Sequence, residues 1–130
     1  MNINQLDSLP VKREIKLTVN ELSSYELSIA KEYEAGKIKG PIHLSDGNEI
    51  PLIKIFSYIA KEDFVFSAWR NHYHALLHGL DQSFLTNEIR EGRSMGIISK
   101  KPFFYSSSIV GGIVPIALGA ALALKRNKKD

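Results

Sequence analysis

The densest cluster of chemically able side chains is Trp69-Arg70-Asn71-His72-Tyr73-His74, with His78 four residues beyond His74. Histidines four apart share a helix face, so the spacing first suggests a metal. No further ligand of suitable type follows at a recognisable interval and no His-Glu-x-x-His pattern occurs, so no metal ligand is assigned. Arg70 with His72 and His74 makes better chemical sense as an anion site. The guanidinium presents a planar fork of donors and the imidazoles add two more, a set suited to phosphate oxygens. A surface helix start explains the same spacing equally well. His43 stands between Ile42 and Leu44 as the only titratable group there, and a lone imidazole more often satisfies buried backbone groups than binds a ligand.

The second unusual stretch is residues 103–124, rich in apolar and small side chains. Residues 109–124 carry no charge; Lys100 and Lys101 precede them, and Lys125, Arg126, Lys128 and Lys129 follow, the outline of a membrane anchor with a basic stop. A hydrocarbon core needs about 20 predominantly apolar residues, and this run falls short unless the three serines of residues 103–108 are counted in. The competing reading is a short loop at 105–108 feeding a buried helix that begins near Gly112, with Pro115 in the first turn, where its missing N–H costs nothing. Gly111, Gly112, Gly119, Ala117, Ala120, Ala121 and Ala123 let a neighbouring helix or a ligand come close to the backbone. Apolar runs of this length are more often buried core helices, so the soluble reading is preferred.

Several elements must position these groups. Thr18 followed by Glu21 is a capping-box signature. From there Val19, Leu22, Tyr25, Ile29 and Tyr33 recur at helical spacing, with Glu26, Lys31, Glu32 and Glu34 mostly on the other side and Gly36 ending the helix. Residues 37–46 read as a loop with a brief extended piece. Asp46 or Asn48 caps a second helix through Ile50, Leu52, Ile53, Ile55, Phe56 and Ile59, with Pro51 in its first turn; apolar round much of its circumference, it should be buried. Phe64-Val65-Phe66 is a short extended segment. Asp81 caps a helix through Phe84, Leu85 and Ile89, ended by Gly92, and residues 92–102 form a basic connector or small lid. Residues 1–17 are a polar leader arm.

With 130 residues and 44% hydrophobic content the chain suits one modest domain rather than disorder. Its net charge of +3 lies in the second half without an aromatic-interleaved basic stripe, which argues against nucleic acid. The absence of cysteine removes disulfides, thiolate metal sites and cysteine nucleophiles. Met1 to Pro10 lacks a secretory pattern, so the cytoplasm is the default compartment.

Three blocks, taken in order, resemble one family. They are Tyr33-Glu34-Ala35-Gly36-Lys37-Ile38-Lys39-Gly40 leading to His43-Leu44, then Arg70 with His72-x-His74-Ala75-Leu76 and Gly79, and last Ile109-Val110-Gly111 leading to Pro115-x-Ala117-x-Gly119-Ala120-Ala121-Leu122-Ala123. Over about residues 19–126 the chain is similar to the first-component alpha subunit of the thiamine-diphosphate-dependent 2-oxo acid dehydrogenases, with acetoin dehydrogenases as close relatives. The resemblance implies thiamine diphosphate as cofactor, a beta subunit in a heterotetramer, and a lipoyl-bearing acyltransferase that receives the acyl group from a 2-oxo acid. It places His43 near the diphosphate, Arg70 on it and Trp69 beside it, where a tyrosine is usual. It makes His72 and His74 catalytic active-site-loop residues. The main chain of Ser108, in place of glycine, and of Val110 would hold the aminopyrimidine ring.

The departures also carry expectations. Tyr73 replaces a common glycine, so a side chain should intrude between the two histidines, and Ser94-Met95-Gly96 resembles a Ser-Met-His motif without its histidine. Residues 18–130 stop before the family's Gly-Asp-Gly motif, so the ligands of the expected magnesium ion are absent from this sequence. The implied fold is a three-layer α/β domain, of which this portion should be mostly helical with short extended segments. Its central sheet should be largely missing, and the 109–124 helix should be left with an exposed apolar patch. Competing readings are a small tail-anchored membrane protein and a degenerate, non-catalytic binding module of the same family.

Overall fold

The computed structural model describes residues 8–127. Residues 1–7 of the expected leader, and Lys128 and Lys129 of the basic run, lie outside the described residues. The elements are α1 (Val19–Glu34), α2 (Glu49–Ser57), β1 (Val65–Ser67), α3 (His72–His78), α4 (Gln82–Arg90), β2 (Ile98–Lys100), β3 (Phe103–Ser106) and α5 (Ile113–Arg126). The result is a small mixed unit, consistent with part of an α/β domain.

Helix α1 starts where the capping box requires. Thr18 Oγ1 accepts from the Glu21 N–H at 3.2 Å while Glu21 Oε2 accepts from the Thr18 N–H at 2.8 Å. Thr18→Ala is expected to lower stability by about 1 kcal/mol, read as a lower urea midpoint at unchanged slope. Leu22, Tyr25 and Ile29 enter the core, but Tyr33 faces solvent and Glu26, expected on the polar side, is buried with them. Helix α2 departs further from expectation. Only Glu49 and Phe56 are buried, and Ile50 and Ile55 are exposed, because this short helix packs chiefly against α1 and α3, on one side.

Helix α3 was not expected as a core element, yet every residue except His74 is buried. Gly79, at φ 103°, ends it in the left-handed conformation that glycine alone adopts cheaply. Its Ala75, Leu76 and Leu77 join Leu22, Ile29, Phe56, Leu85, Ile89, Ile97 and Phe104 in one apolar cluster.

The short extended segments expected of this portion pair into a sheet of three short strands in the order β1-β3-β2. Strand β1 runs parallel to β3, pairing Val65 with Phe104 and Ser67 with Ser106; β2 runs antiparallel to β3. Residues 92–102 are therefore not all connector, nor 105–108 all loop. Period-two alternation puts Val65, Ser67, Phe104 and Ser106 on the helix-covered face and Phe64, Phe66, Phe103 and Tyr105 on the other. The Phe64 and Phe103 rings stack there at 4.4 Å between centroids.

Pro115 lies in the first turn of α5 as expected, but the helix is not buried. None of its residues is enclosed, and Val114, Ile116, Leu118 and Leu122 face outward, the apolar patch anticipated for this helix. It packs chiefly on the β1 side, where Ala117, Ala120, Ala121 and Leu124 with Phe64 and Phe66 border a hollow of about 510 Å³. Among the described residues no helix is long and apolar enough to cross a membrane. Changing Val114, Leu118 and Leu122 together to lysine should cost no more than about 0.5 kcal/mol each, since the side chains touch little. Sedimentation velocity should show less self-association at high concentration; unfolding of the triple variant would contradict the exposed placement.

Candidate functional site

Strands β1 and β3 are adjacent and parallel, so the loops that follow them leave the same sheet edge. The Ser107 N–H donates to the Ser67 carbonyl at 3.2 Å, holding the two loops together at their roots. Helix α3 follows β1 on the face of Ser67, while α5 follows β3 onto the face of Phe66. Between parallel strands whose helices diverge in this way lies the crevice where α/β sheets commonly receive ligands.

Trp69 and Arg70 stand on the first loop, Ser108 and Val110 on the second. His43, half-buried, joins them from the loop before α2, its ring 4.7 Å from that of Trp69. Arg70 makes no hydrogen bond or ion pair with any described residue, so its donor fork is free. Among the described residues the main-chain groups of Ser108 and Val110 are likewise unpaired. Gly111, at φ 78°, turns the chain into α5 and leaves Val110 standing clear. With Trp69 42% and Val110 78% exposed, the site is an open shelf rather than an enclosed pocket.

The histidines divide by environment. His72 is fully buried, with Nδ1 3.0 Å from Glu26 Oε2 and Nε2 2.9 Å from Ser94 Oγ. Glu26 Oε1 accepts from the Ser45 N–H at 3.1 Å. Both nitrogens of His72 are thus spent on protein groups, and it adds no donor to the shelf. His74 is half-buried, Nδ1 lying 2.6 Å from Ser67 Oγ and the ring stacked on Phe56 at 5.8 Å. His78 is buried with neither ring nitrogen in a well-formed hydrogen bond. Of the expected anion trio, Arg70 keeps its donors free and His74 keeps only Nε2. No group of three or more metal-ligating side chains occurs among the described residues.

Three residues carry more of the site than their sequence context showed. Asn71 Nδ2 shares its protons among the carbonyls of Ala68, Trp69 and Ser94, at 3.0, 3.2 and 2.9 Å, and so clamps the Arg70 loop to the loop before β2. Ser94 completes the Glu26–His72 contact from that same loop. Tyr73 does not intrude between the histidines: its ring turns into the core and its O–H donates to Glu49 Oε1 at 2.9 Å. Three histidines interleaved with Tyr73, Ala75, Leu76 and Leu77 read as a polar site rather than as a core helix, which is why the inward turn of α3 was not legible.

The titration behaviour follows from burial. Burial pushes His74 below its ordinary value, and burial helped by the Arg13 charge does the same to His78. Burial pushes the Tyr25 hydroxyl up to about 12 and raises Tyr73, further held by Glu49. The fold favours neutral His74 and His78, so that stability is present above 6.5 and lost as pH falls through their lowered values. It favours protonated tyrosines, so that stability is present below 10.0 and lost as pH rises through the raised values. The thermal midpoint should be level between 6.5 and 10.0 and fall on both sides; a midpoint that climbs on acidification below 6.5 would contradict this.

Residues 18–130 match the family model described as Dehydrogenase E1 component, which takes in all three motif blocks. Similar proteins include the pyruvate dehydrogenase E1 component subunit alpha, mitochondrial, of Solanum tuberosum, 32% identical over 86% of this chain and 31% of its own length. The subunit alpha-3, chloroplastic, of Arabidopsis thaliana is 29% identical over 82% of this chain and 27% of its own. The pyruvate dehydrogenase E1 component subunit alpha of Rickettsia bellii is 30% identical over 91% of this chain and 40% of its own. The chain thus spans 27–40% of the length of these relatives. By the extent of the family match, this chain belongs to the dehydrogenase E1 component family.

Proposed function

We propose that this chain is the alpha-side portion of a thiamine-diphosphate-dependent dehydrogenase acting on a pyruvate-like 2-oxo acid, with acetoin the alternative substrate. The acyl product passes to a lipoyl group. The observation that carries the reading is the common edge of β1 and β3, from which Arg70 and the bare peptide groups of Ser108 and Val110 emerge together. A free guanidinium fits an anionic diphosphate and unpaired N–H and C=O groups fit a planar heteroaromatic edge. When bound, thiamine diphosphate supplies the electron sink for decarboxylation; the protein supplies orientation and electrostatics.

In this reading Arg70 grips the diphosphate, Trp69 and His43 form a wall beside it, and the main chain of Ser108 and Val110 holds the aminopyrimidine. Asn71 fixes the loop that bears Arg70, and His72 acts from the core by tying α1, α3 and the Ser94 loop together. His74 is the histidine left with a nitrogen for the site. Magnesium does not fit the described residues, since no ligand group occurs among them; its ligands and the other wall of the shelf come from outside them, with a beta subunit as the partner that closes the site.

Calorimetric titration of thiamine diphosphate tests this. Together with the beta subunit of a pyruvate dehydrogenase and the alpha-subunit segment that carries the Gly-Asp-Gly motif, binding should be saturable and magnesium-dependent; the chain alone should bind weakly and without regard to magnesium. Tight, magnesium-dependent binding by the chain alone would contradict the open half-site. No binding in either case would favour a non-catalytic module of the same family, to which the core-locked His72 also points.

A further inference from the structure

The side chain that meets His74 belongs to none of the motif blocks. Ser67 is the last residue of β1, buried, with its hydroxyl 2.6 Å from His74 Nδ1. Its carbonyl is already taken by the Ser107 N–H. Among the described residues, His74 Nδ1 is the one hydrogen-bond partner of Ser67 Oγ. A buried hydroxyl proton without an acceptor costs free energy, so the O–H points at Nδ1. A nitrogen that accepts this bond carries no proton of its own. In the neutral ring the proton therefore sits on Nε2.

The free end of the ring is open. Among the described residues, the side-chain polar atoms sealed from solvent without a partner are Ser45 Oγ, Asn71 Oδ1 and both nitrogens of His78. His74 Nε2 has no hydrogen-bond partner among the described residues and is not one of them. Phe56 fixes the plane of the ring by stacking on it.

We propose that Ser67 is a positioning residue that holds His74 in its Nε2–H form, so that the histidine offers the crevice a fixed hydrogen-bond donor rather than a proton acceptor. Burial depresses the protonation of His74, so the donor is neutral at physiological pH. Such a donor can stabilise negative charge on a bound oxygen without giving up its proton. The role toward cofactor or substrate rests on the function proposed above; the tautomer rests on the Ser67 contact alone.

Long-range nitrogen–proton NMR of the histidine rings in the 130-residue chain, near pH 8, reads the tautomer directly. In the native chain His74 should show a protonated Nε2 and an unprotonated Nδ1 shifted by an accepted hydrogen bond. In Ser67→Ala the Nδ1 resonance should move toward that of a free acceptor and the Nδ1–H form should become populated. Ser67→Thr, which keeps the hydroxyl, should restore the native pattern. A native His74 protonated at Nδ1, or a Ser67→Ala spectrum identical to the native one, would overturn the inference. If thiamine diphosphate fails to bind while this signature holds, the cofactor reading falls and the Ser67 assignment stands. Loss of the signature with binding intact overturns the Ser67 assignment alone.

Discussion

Replacing His72 with alanine is expected to cost the fold about 3–5 kcal/mol, the usual penalty for removing one member of a buried charge-bearing pair. His72 has no solvent exposure, and its nitrogens bridge Glu26 of α1 to Ser94 of the loop before β2. Without the ring, Glu26 keeps only the Ser45 N–H as a partner, and the Ser94 hydroxyl loses its own. Set against a total of about 5–15 kcal/mol for an ordinary domain, the loss brings the chain near unfolding at room temperature. Urea titration followed by circular dichroism measures it. Ser94→Ala, which removes one hydrogen bond and leaves the Glu26 contact, should cost about 1 kcal/mol. A loss below 1 kcal/mol for His72→Ala would show that water replaces the imidazole and that the pair does not organise the core.

Arg70→Ala should have the opposite profile. The side chain has no partner among the described residues, so the unfolding free energy from urea titration should change by no more than about 0.5 kcal/mol. Affinity for thiamine diphosphate, measured with a beta subunit present, should fall by about 2–3 kcal/mol, roughly 30- to 150-fold, as charge-assisted bonds to the diphosphate are lost. Arg70→Lys should recover part of this, because an ammonium keeps the charge without the planar fork. Equal affinity in all three proteins would remove Arg70 from the site. The two variants separate a residue that builds the scaffold from one that uses it.

What was legible in the sequence were features with a local cause. The capping box at Thr18 and Glu21 marked the start of α1, and Leu22, Tyr25 and Ile29 marked its inner face. Glu26 was misplaced because a carboxylate on a helix reads as solvated until its partner is known, and His72 lies 46 residues away. Strands β2 and β3 are three and four residues long, too short for alternation to register against the glycine, serine and lysine around them. The solvent-facing isoleucines of α2 and the outer face of α5 show the reverse error, since apolar content announces burial only where something packs against it.

The motif blocks named Arg70, Ser108 and Val110 in order, but that they follow the ends of neighbouring strands comes from the parallel pairing of β1 with β3, a contact across some forty residues. Asn71 and Ser67 were invisible for the same reason. Their importance lies in which carbonyls and which imidazole the fold brings to them.

The claim on which the proposed function rests is that one ligand touches both strand-end loops at once. Titrating thiamine diphosphate into the nitrogen-15-labelled chain, and following the backbone amides of Arg70, Ser108 and Val110, tests it most directly. The three resonances should move together along one saturation curve, weak as it is for an open shelf, while those of α4 stay in place. Separate curves for Arg70 and Val110, or no movement of either at millimolar ligand, would contradict a shared site.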